Sequence, residues 1–485
     1  MRGLKKPVFF PPAGKNEEKS VRIDRIMIRG LQLVVTAVLA LSAEAWVTSA
    51  KVRRSRVLRS SLNEEFAKKL SPELRAEYEE LHGSAGKTWD ADWYPTKDPP
   101  AKGSILVTFE LVEDFMRDTF TAVGVPEEEA KLAADVLIEA DKRGISSHGV
   151  GRLKPIYCDR LDQGILYPTA PLTIVKETAS SALVDGNLGL GLTIGPACME
   201  MAIRKAKETG VGVVLAQNST HYGIAGYYAT MATEAGCVGF STTNARPSIA
   251  PTFGVEGMLG TNPLCFGIPS DDPFPFVIDA ATSVNQRGKI ERYAREGRPT
   301  PKGQVIDSQG RERTDTDGIL RDLVTGDAAL APLGGAGEEM GGYKGFGWAA
   351  AVELACTAFQ GGPFGESLCG VDRATGKPSP MPLGHVFVAI DIAPLRDLDD
   401  FKATAGALLR GLRESRKDPS GPGRIWTAGE PEDCARKEKE AAGGFMIPPA
   451  LQRDMAALRD TKLSPADRAK YTPFPWEQRE GCGYA

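Results

Sequence analysis

The feature that most restricts the fold is an alternation that begins at Ser104. Short apolar runs of strand length take turns with longer stretches in which apolar residues recur at helical spacing. Ser104–Phe109 reads as a strand, Glu110–Val123 and Pro126–Arg143 as amphipathic helices, and Arg152–Leu161 as a further helix. Pro126 with Glu127 and Glu128 suits a helix start, and Gly144 a helix end. Leu172–Val184 reads as strands, Pro196–Lys207 as a helix, Val211–Ala216 as a buried strand and Ile224–Ala235 as a helix. Val238–Thr243 and Pro275–Ile278 read as strands, Phe346–Ala358 as an apolar helix, His385–Ile392 as a strand and Leu398–Ser415 as a helix. Residues 295–341, rich in Gly, Asp, Arg and Thr, read as mostly loop. Strands and helices in turn place the chain in the mixed α/β class. No internal repeat is present.

Composition narrows the function. With 42% apolar and 25% charged residues the chain reads as soluble and globular, and its net charge of -4 gives no general case for nucleic-acid binding. Its 8 cysteines include no Cys-x-x-Cys pair, which leaves neither a zinc site nor a redox pair indicated, and no metal is expected. The amino terminus differs from the rest. Residues 1–60 are strongly basic and hold an apolar run, Leu31–Leu41, too short to span a bilayer. Ala43-Glu44-Ala45 then matches a small-residue cleavage site, and a second basic stretch follows at Lys51–Arg56. This reads as a targeting segment, for a mitochondrion or plastid or for entry to the secretory pathway, with Met27 as an alternative start. A mispredicted terminus would leave the protein cytoplasmic. Residues 61–104 read as a linker, 105–463 as the catalytic region and 464–485 as a polar, loosely attached tail. Within the catalytic region, 172–397 form the cofactor and substrate core, and 105–171 with 398–463 the helical part. No stable membrane span is expected in the mature protein.

Histidine is scarce, with 4 in 485 residues, and two stand in glycine-bounded turns: Ser146-Ser147-His148-Gly149 and Thr220-His221-Tyr222-Gly223. An imidazole titrates near neutrality and can pass a proton, although a histidine in such a turn also serves as a structural brace. Arg152, four residues after His148, shares its face on a helix, and a cation beside a proton carrier suits an anionic substrate. Gly189-Leu-Gly191-Leu-Thr-Ile-Gly195 has the wrong spacing for a dinucleotide-binding loop and reads better as a glycine-rich turn near the site. Gly260-Thr261-Asn262-Pro263 is a turn with a poised amide, and Asp279-Ala280-Ala281-Thr282-Ser283 ends a short strand with Gly288-Lys289 just beyond. Gly341-Gly342-Tyr343-Lys344-Gly345 enters a helix in the manner of an anion site.

Taken in order, five of these segments (the two histidine turns, Gly260–Pro263, Asp279–Lys289 and Gly341–Gly345) resemble the malate/L-lactate dehydrogenase family that lacks the classical dinucleotide fold, from Val107 to Ile447. The resemblance implies a mixed α/β fold with a mixed-sheet domain and a helical domain, a homodimer, and hydride transfer between NAD or NADP and C2 of a small 2-hydroxy acid such as malate or lactate. It implies His221 as the acid/base, Ser147 and His148 as an active-site pair, Arg152 as the carboxylate anchor and Asn262 as a further substrate contact. Asp279, Ala280, Ala281, Lys344, Gly429 and Glu430 are implied as cofactor contacts. There are departures: Ser146 replaces the usual Asp, Pro251–Val255 replaces a Pro-x-Gly-Gly turn, and Asp307–Pro332 is expanded. An oxidoreductase for a cyclic imine or ureidoglycolate on the same scaffold is the alternative. A Ser147-dependent hydrolase is a remote one, since neighbours in sequence rarely meet in triad geometry and no Gly-x-Ser-x-Gly surrounds Ser147.

Overall fold

The computed structural model describes residues 101–478 except 296 and 373. The targeting segment at 1–60, residues 61–100 of the expected linker and the last residues of the tail lie outside it. A seven-stranded sheet organises the fold. It comprises β2 (Thr173–Glu177), β3 (Ser181–Asp185), β4 (Val211–Ser219), β5 (Cys237–Thr243), β6 (Leu264–Ile268), β7 (Phe276–Ala280) and β10 (Leu383–Asp391), in the order β2-β3-β4-β10-β5-β6-β7. All neighbours pair antiparallel except β3 and β4, which are parallel. A parallel pair needs a crossover, supplied here by helix α3 (Gly191–Thr209). Helices α3 and α4 (Ala225–Glu234) share one apolar core with this sheet. On the other face the long helix α7 (Gly342–Thr357) packs Val352 and Cys356 on Val386.

A second core belongs to the helical layer. Strand β1 (Ile105–Val107) leads into α1 (Phe109–Ala122), whose N-cap Thr108 accepts the Leu111 N–H. Helix α2 (Glu127–Lys142) carries Glu127, Glu128 and Glu129 in its first turn and Lys142 in its last, favourably for its dipole. The core they bury draws equally on the far end of the chain: β11 (Phe445–Ile447), which pairs antiparallel with β1, and α10 (Pro449–Lys462). Leu190 and Leu192 at the start of α3 also belong to it. Among the described residues no helix is long and apolar enough to cross a membrane.

Four expectations need correction. The tail is not loosely attached: after α11 (Pro465–Lys470), Tyr471, Phe474 and Trp476 are buried in the helical core, with Phe115 edge-on to Tyr471 and Phe474. Residues 295–341 hold a small folded lobe, with α6 (Thr316–Thr325) and a hairpin-like pair, β8 (Val305–Asp307) and β9 (Ala328–Leu330). Its strands are three residues long, too short to show a period. Helix α3 starts five residues early and tolerates Pro196 inside it. The helix expected at Arg152–Leu161 is instead a 3-10 turn (Val150–Arg152), a π-helical turn (Leu153–Cys158) and a short α-turn (Asp159–Asp162). Pro155 lacks the N–H that regular α-helical pairing requires. Helices α5 (Arg287–Arg295), α8 (Leu398–Arg413) and α9 (Glu430–Ala441) complete the fold.

The tail predicts a measurable dependence. Trp476 stacks on Phe474 at 4.4 Å between ring centroids. Replacing Trp476 with Ala is expected to cost about 3–5 kcal/mol and lower Tm in thermal unfolding. A loosely attached tail would leave Tm unchanged.

Candidate active site

The two histidine turns come from different cores and meet face to face. The first turn follows α2. Asp141, at the buried end of that helix, accepts the Val150 N–H at 2.7 Å across the turn. A Cβ on Gly149 would collide with the same carboxyl, so glycine is required there. Burial, against the opposing pull of that N–H and of Lys439, raises the Asp141 carboxyl to about 7. The turn sets Ser147 Oγ 2.8 Å from His148 Nδ1, and Arg152 donates through Nε to the Ser147 carbonyl. This anchors the root of the guanidinium and leaves its two terminal nitrogens without a protein partner among the described residues.

The second turn ends β4. Gly191, within the glycine motif, donates its N–H to Thr220 Oγ1 at 3.0 Å, and Thr220 Oγ1 donates to the Gly189 carbonyl at 2.8 Å. A Cβ on Gly191 would strike the Thr220 carbonyl. The motif therefore gives a close approach of helix and turn, and holds the residue before His221. From the sheet side, buried His385 lies 2.7 Å from both Thr243 Oγ1 and Ser219 Oγ, with its Nε2 3.1 Å from the Thr220 carbonyl. Its ring stacks on Tyr222 at 4.5 Å, and burial lowers its pKa to about 3. The residues on both sides of His221 are thus clamped by neutral groups.

The His148 and His221 rings stack at 5.6 Å with 20° between planes. Burial first, then the charge on Arg152, lowers His148 to about 4. Burial first, then His148, Arg152, Arg160 and His385, hold His221 well below its ordinary value. Both imidazoles are therefore neutral near pH 7. Tyr157, fully buried, places its hydroxyl 2.7 Å from His221 Nδ1.

Of the residues expected at the site, Ser147, His148, Arg152 and His221 are brought together. Ser147 and His148 meet within a 3-10 turn (Ser146–His148). The ring of His148 then faces His221, and no carboxylate among the described residues bonds it as a hydrolytic triad requires. Asn262 is fully buried, with Nδ2 donating to the Ala349 carbonyl at 2.9 Å and to Glu353 at 2.8 Å, while its Oδ1 has no hydrogen-bond partner among the described residues. Glu430 is likewise fully buried, paired with Arg424 at 2.7 Å and accepting the Thr427 N–H. Gly429 (φ 89°) packs against β7, where a Cβ would meet the Pro275 carbonyl at 2.6 Å. The Asp279 carboxylate accepts the Gly226 N–H at 2.7 Å and caps α4, while Ala280 pairs with Leu264 and Ala281 follows half-buried. Lys344 is exposed in the first turn of α7. Ser283 Oγ is buried with no hydrogen-bond partner among the described residues. Gly288 lies over the first turn, since a Cβ there would stand 3.9 Å from Ser147 Cβ. No group of three metal-ligating side chains occurs among the described residues.

Sequence reasoning did not single out Tyr157, Arg160, His385 and Asp141, which the structure sets against these two turns. The irregular turn around Pro155 removes the helical spacing that would have tied Tyr157 to Arg152. His385 reads simply as part of a strand.

Comparison with known proteins gives the family. Residues 107–456 match the profile of the malate/L-lactate dehydrogenase family. A malate dehydrogenase from Pyrococcus horikoshii is 42% identical over 326 residues, covering 67% of this chain and 87% of that protein. An L-sulfolactate dehydrogenase from Methanothermobacter thermautotrophicus is 33% identical over 350 residues, covering 72% of this chain and 95% of that protein. The crystal structure of malate dehydrogenase from Entamoeba histolytica superposes with a TM-score of 0.70 at 39% identity, covering 74% of this chain and 98% of that one. The chain belongs to the malate/L-lactate dehydrogenase family and is a 2-hydroxyacid dehydrogenase.

Proposed function

We propose that the enzyme interconverts a small dianionic 2-hydroxy acid of the malate type and its 2-oxo acid, with NAD or NADP as the hydride carrier. The observation that carries this reading is the neutral His221 imidazole, stacked on His148 and bordered by guanidinium groups. Oxidation removes the hydroxyl proton from the substrate as hydride leaves C2. Neutral His221 takes that proton at Nε2 and returns it in the reverse direction. Arg152, rooted on the Ser147 carbonyl, offers its terminal nitrogens to the C1 carboxylate, and the Ser147–His148 pair lines the same face.

A second anionic group is favoured by two further guanidiniums. Arg160 and Arg152 both act on His221, and the charges of Arg246 and Arg152 add to burial in depressing Arg160. None of the three has an acidic partner among the described residues. Such a cluster is electrostatically incomplete until an anion arrives. The relatives compared above are named for malate and sulfolactate, hydroxy acids that each carry two acid groups.

The residues present fit a nicotinamide dinucleotide. The buried Ser283 hydroxyl supplies a hydrogen-bonding group, and the glycine-rich start of α7 with Lys344 suits a phosphate. When bound, the cofactor supplies the hydride acceptor or donor. Helix α7 also favours a homodimer. While Ala349, Val352 and Cys356 face the core, Trp348 and Leu354 on its outer side are 57% and 63% exposed, and Phe359 just beyond it is 74% exposed. A second copy would cover this apolar face.

Four outcomes are expected. Replacing His221 with Ala should lower turnover of malate about 10²- to 10⁴-fold while cofactor binding by fluorescence persists; unchanged turnover would sink the assignment. In the same assay Arg246→Ala should raise KM for malate and erase its preference over lactate. Next, oxidation needs unprotonated His221. Because its folded pKa lies well below 6.5, kcat/KM for oxidation should stay flat as pH falls through 6.5 and decline only well below it. An acid limb at or above 6.5 excludes this base. Finally, sedimentation should show a dimer that Trp348→Glu with Leu354→Glu dissociates; a monomeric parent protein refutes the α7 interface.

A further inference from the structure

Two groups face the remote nitrogen of His221. Gly223 directs its N–H at Nδ1 from 3.3 Å, and the Tyr157 hydroxyl stands 2.7 Å away. A backbone N–H can only donate, so it favours the ring form with a bare Nδ1 and a proton on Nε2. That form cannot accept a proton at Nε2. To accept one there, the neutral ring must already carry its proton on Nδ1, and the imidazolium carries a proton on both nitrogens. Either state needs an acceptor for Nδ1–H. Of the two groups only the Tyr157 hydroxyl can accept. When it does, its own proton has a destination, because Tyr157 Oη also lies 3.3 Å from the His221 carbonyl oxygen.

We propose that Tyr157 is a positioning residue whose hydroxyl accepts Nδ1–H of His221 and donates to the His221 carbonyl. It does so in the neutral ring, where Nε2 is left bare to take the substrate proton, and in the imidazolium alike. No proton leaves the tyrosine in either state, which agrees with burial pushing its ionisation far up. The hydroxyl is held for this task. Its ring is fully buried and packs edge-on to Phe120 and to His221 at 5.8 Å. The π-helical turn Leu153–Cys158 swings Tyr157 toward β4 while Arg152, one residue before that turn, keeps its bond to Ser147. The other charged or titratable groups acting on His221 are His148, Arg152, Arg160 and His385, and none is hydrogen-bonded to Nδ1.

The proposal rests on His221 as the proton exchanger, and the test separates the two. Tyr157→Phe keeps the ring and removes the hydroxyl. With cofactor saturating, kcat for malate oxidation and for oxaloacetate reduction should both fall about 10- to 100-fold, with KM changed less than about threefold. The imidazolium loses an acceptor in this variant, so its pKa drops. The acid limb of the oxidation profile and the basic limb of the reduction profile should both move to lower pH, by about half a unit to one unit. A purely structural role would lower Tm and leave both limbs in place. Unchanged kcat and limbs in Tyr157→Phe, with turnover lost in His221→Ala, overturn the tyrosine proposal alone. Full turnover in His221→Ala overturns the acid/base reading first. If Tyr157→Phe does not fold, NMR of the unsubstituted holoenzyme decides, with His221 assigned by signal loss in His221→Gln. A protected, downfield Nδ1–H on the protonated ring supports the proposal, and an Nδ1–H in fast exchange with water refutes it.

Discussion

The arrangement depends on the contact between the first turn of α3 and Thr220. Gly191 gives its N–H to the Thr220 hydroxyl, which in turn donates to Gly189, and the absence of a Cβ lets the helix reach the Thr220 carbonyl. The same turn of helix lies on the seam between two cores. Leu190 and Leu192 are buried with the helical layer, while Ile194 and Met199 are buried with the sheet. A displacement of α3 would therefore disturb both cores and move His221 as well. His221 is placed by packing, and the polar contacts around it set its orientation.

The electrostatics of the site run in one direction. Neutral imidazoles are packed beside guanidiniums, and each cation makes protonation of its neighbours harder. An anionic ligand reverses this. Its charge offsets Arg152 and Arg160 and raises the proton affinity of His221. In the proposed reaction, substrate binding and the strength of the base are coupled in this way.

Much of this was legible in the sequence, and the failures have physical causes. The long periodic helices α1, α2 and α8 and the β-rich runs of β4, β5 and β10 stand out because each buries one face or both. The His148 and His221 turns stand out because glycine and a scarce residue coincide there. The glycine motif shows its departure from dinucleotide spacing, and the structure assigns it the helix–turn approach instead. By contrast, β6 and β11 are short, and the register of β11 depends on β1, distant in the chain. Asn262 and Glu430 have residue types suited to a ligand, but both are fully buried in brace contacts, and burial is a tertiary property. Tyr157 is hidden by an insertion in the helical repeat, and the aromatic tail shows no period because Tyr471, Phe474 and Trp476 are separated by Thr472, Pro473 and Pro475.

The pairing of β1 with β11 has a consequence for biosynthesis. The helical core unites residues 105–166 with 445–476, so α1 and α2 leave the ribosome long before the segments that cover them. Until the last residues are free, their apolar faces are uncovered, and the loop to be closed spans the whole sheet domain. The sheet, by contrast, can assemble once β10 has emerged. The nascent chain thus carries an unfinished helical layer until β11, α10 and the aromatic segment at 471–476 have emerged.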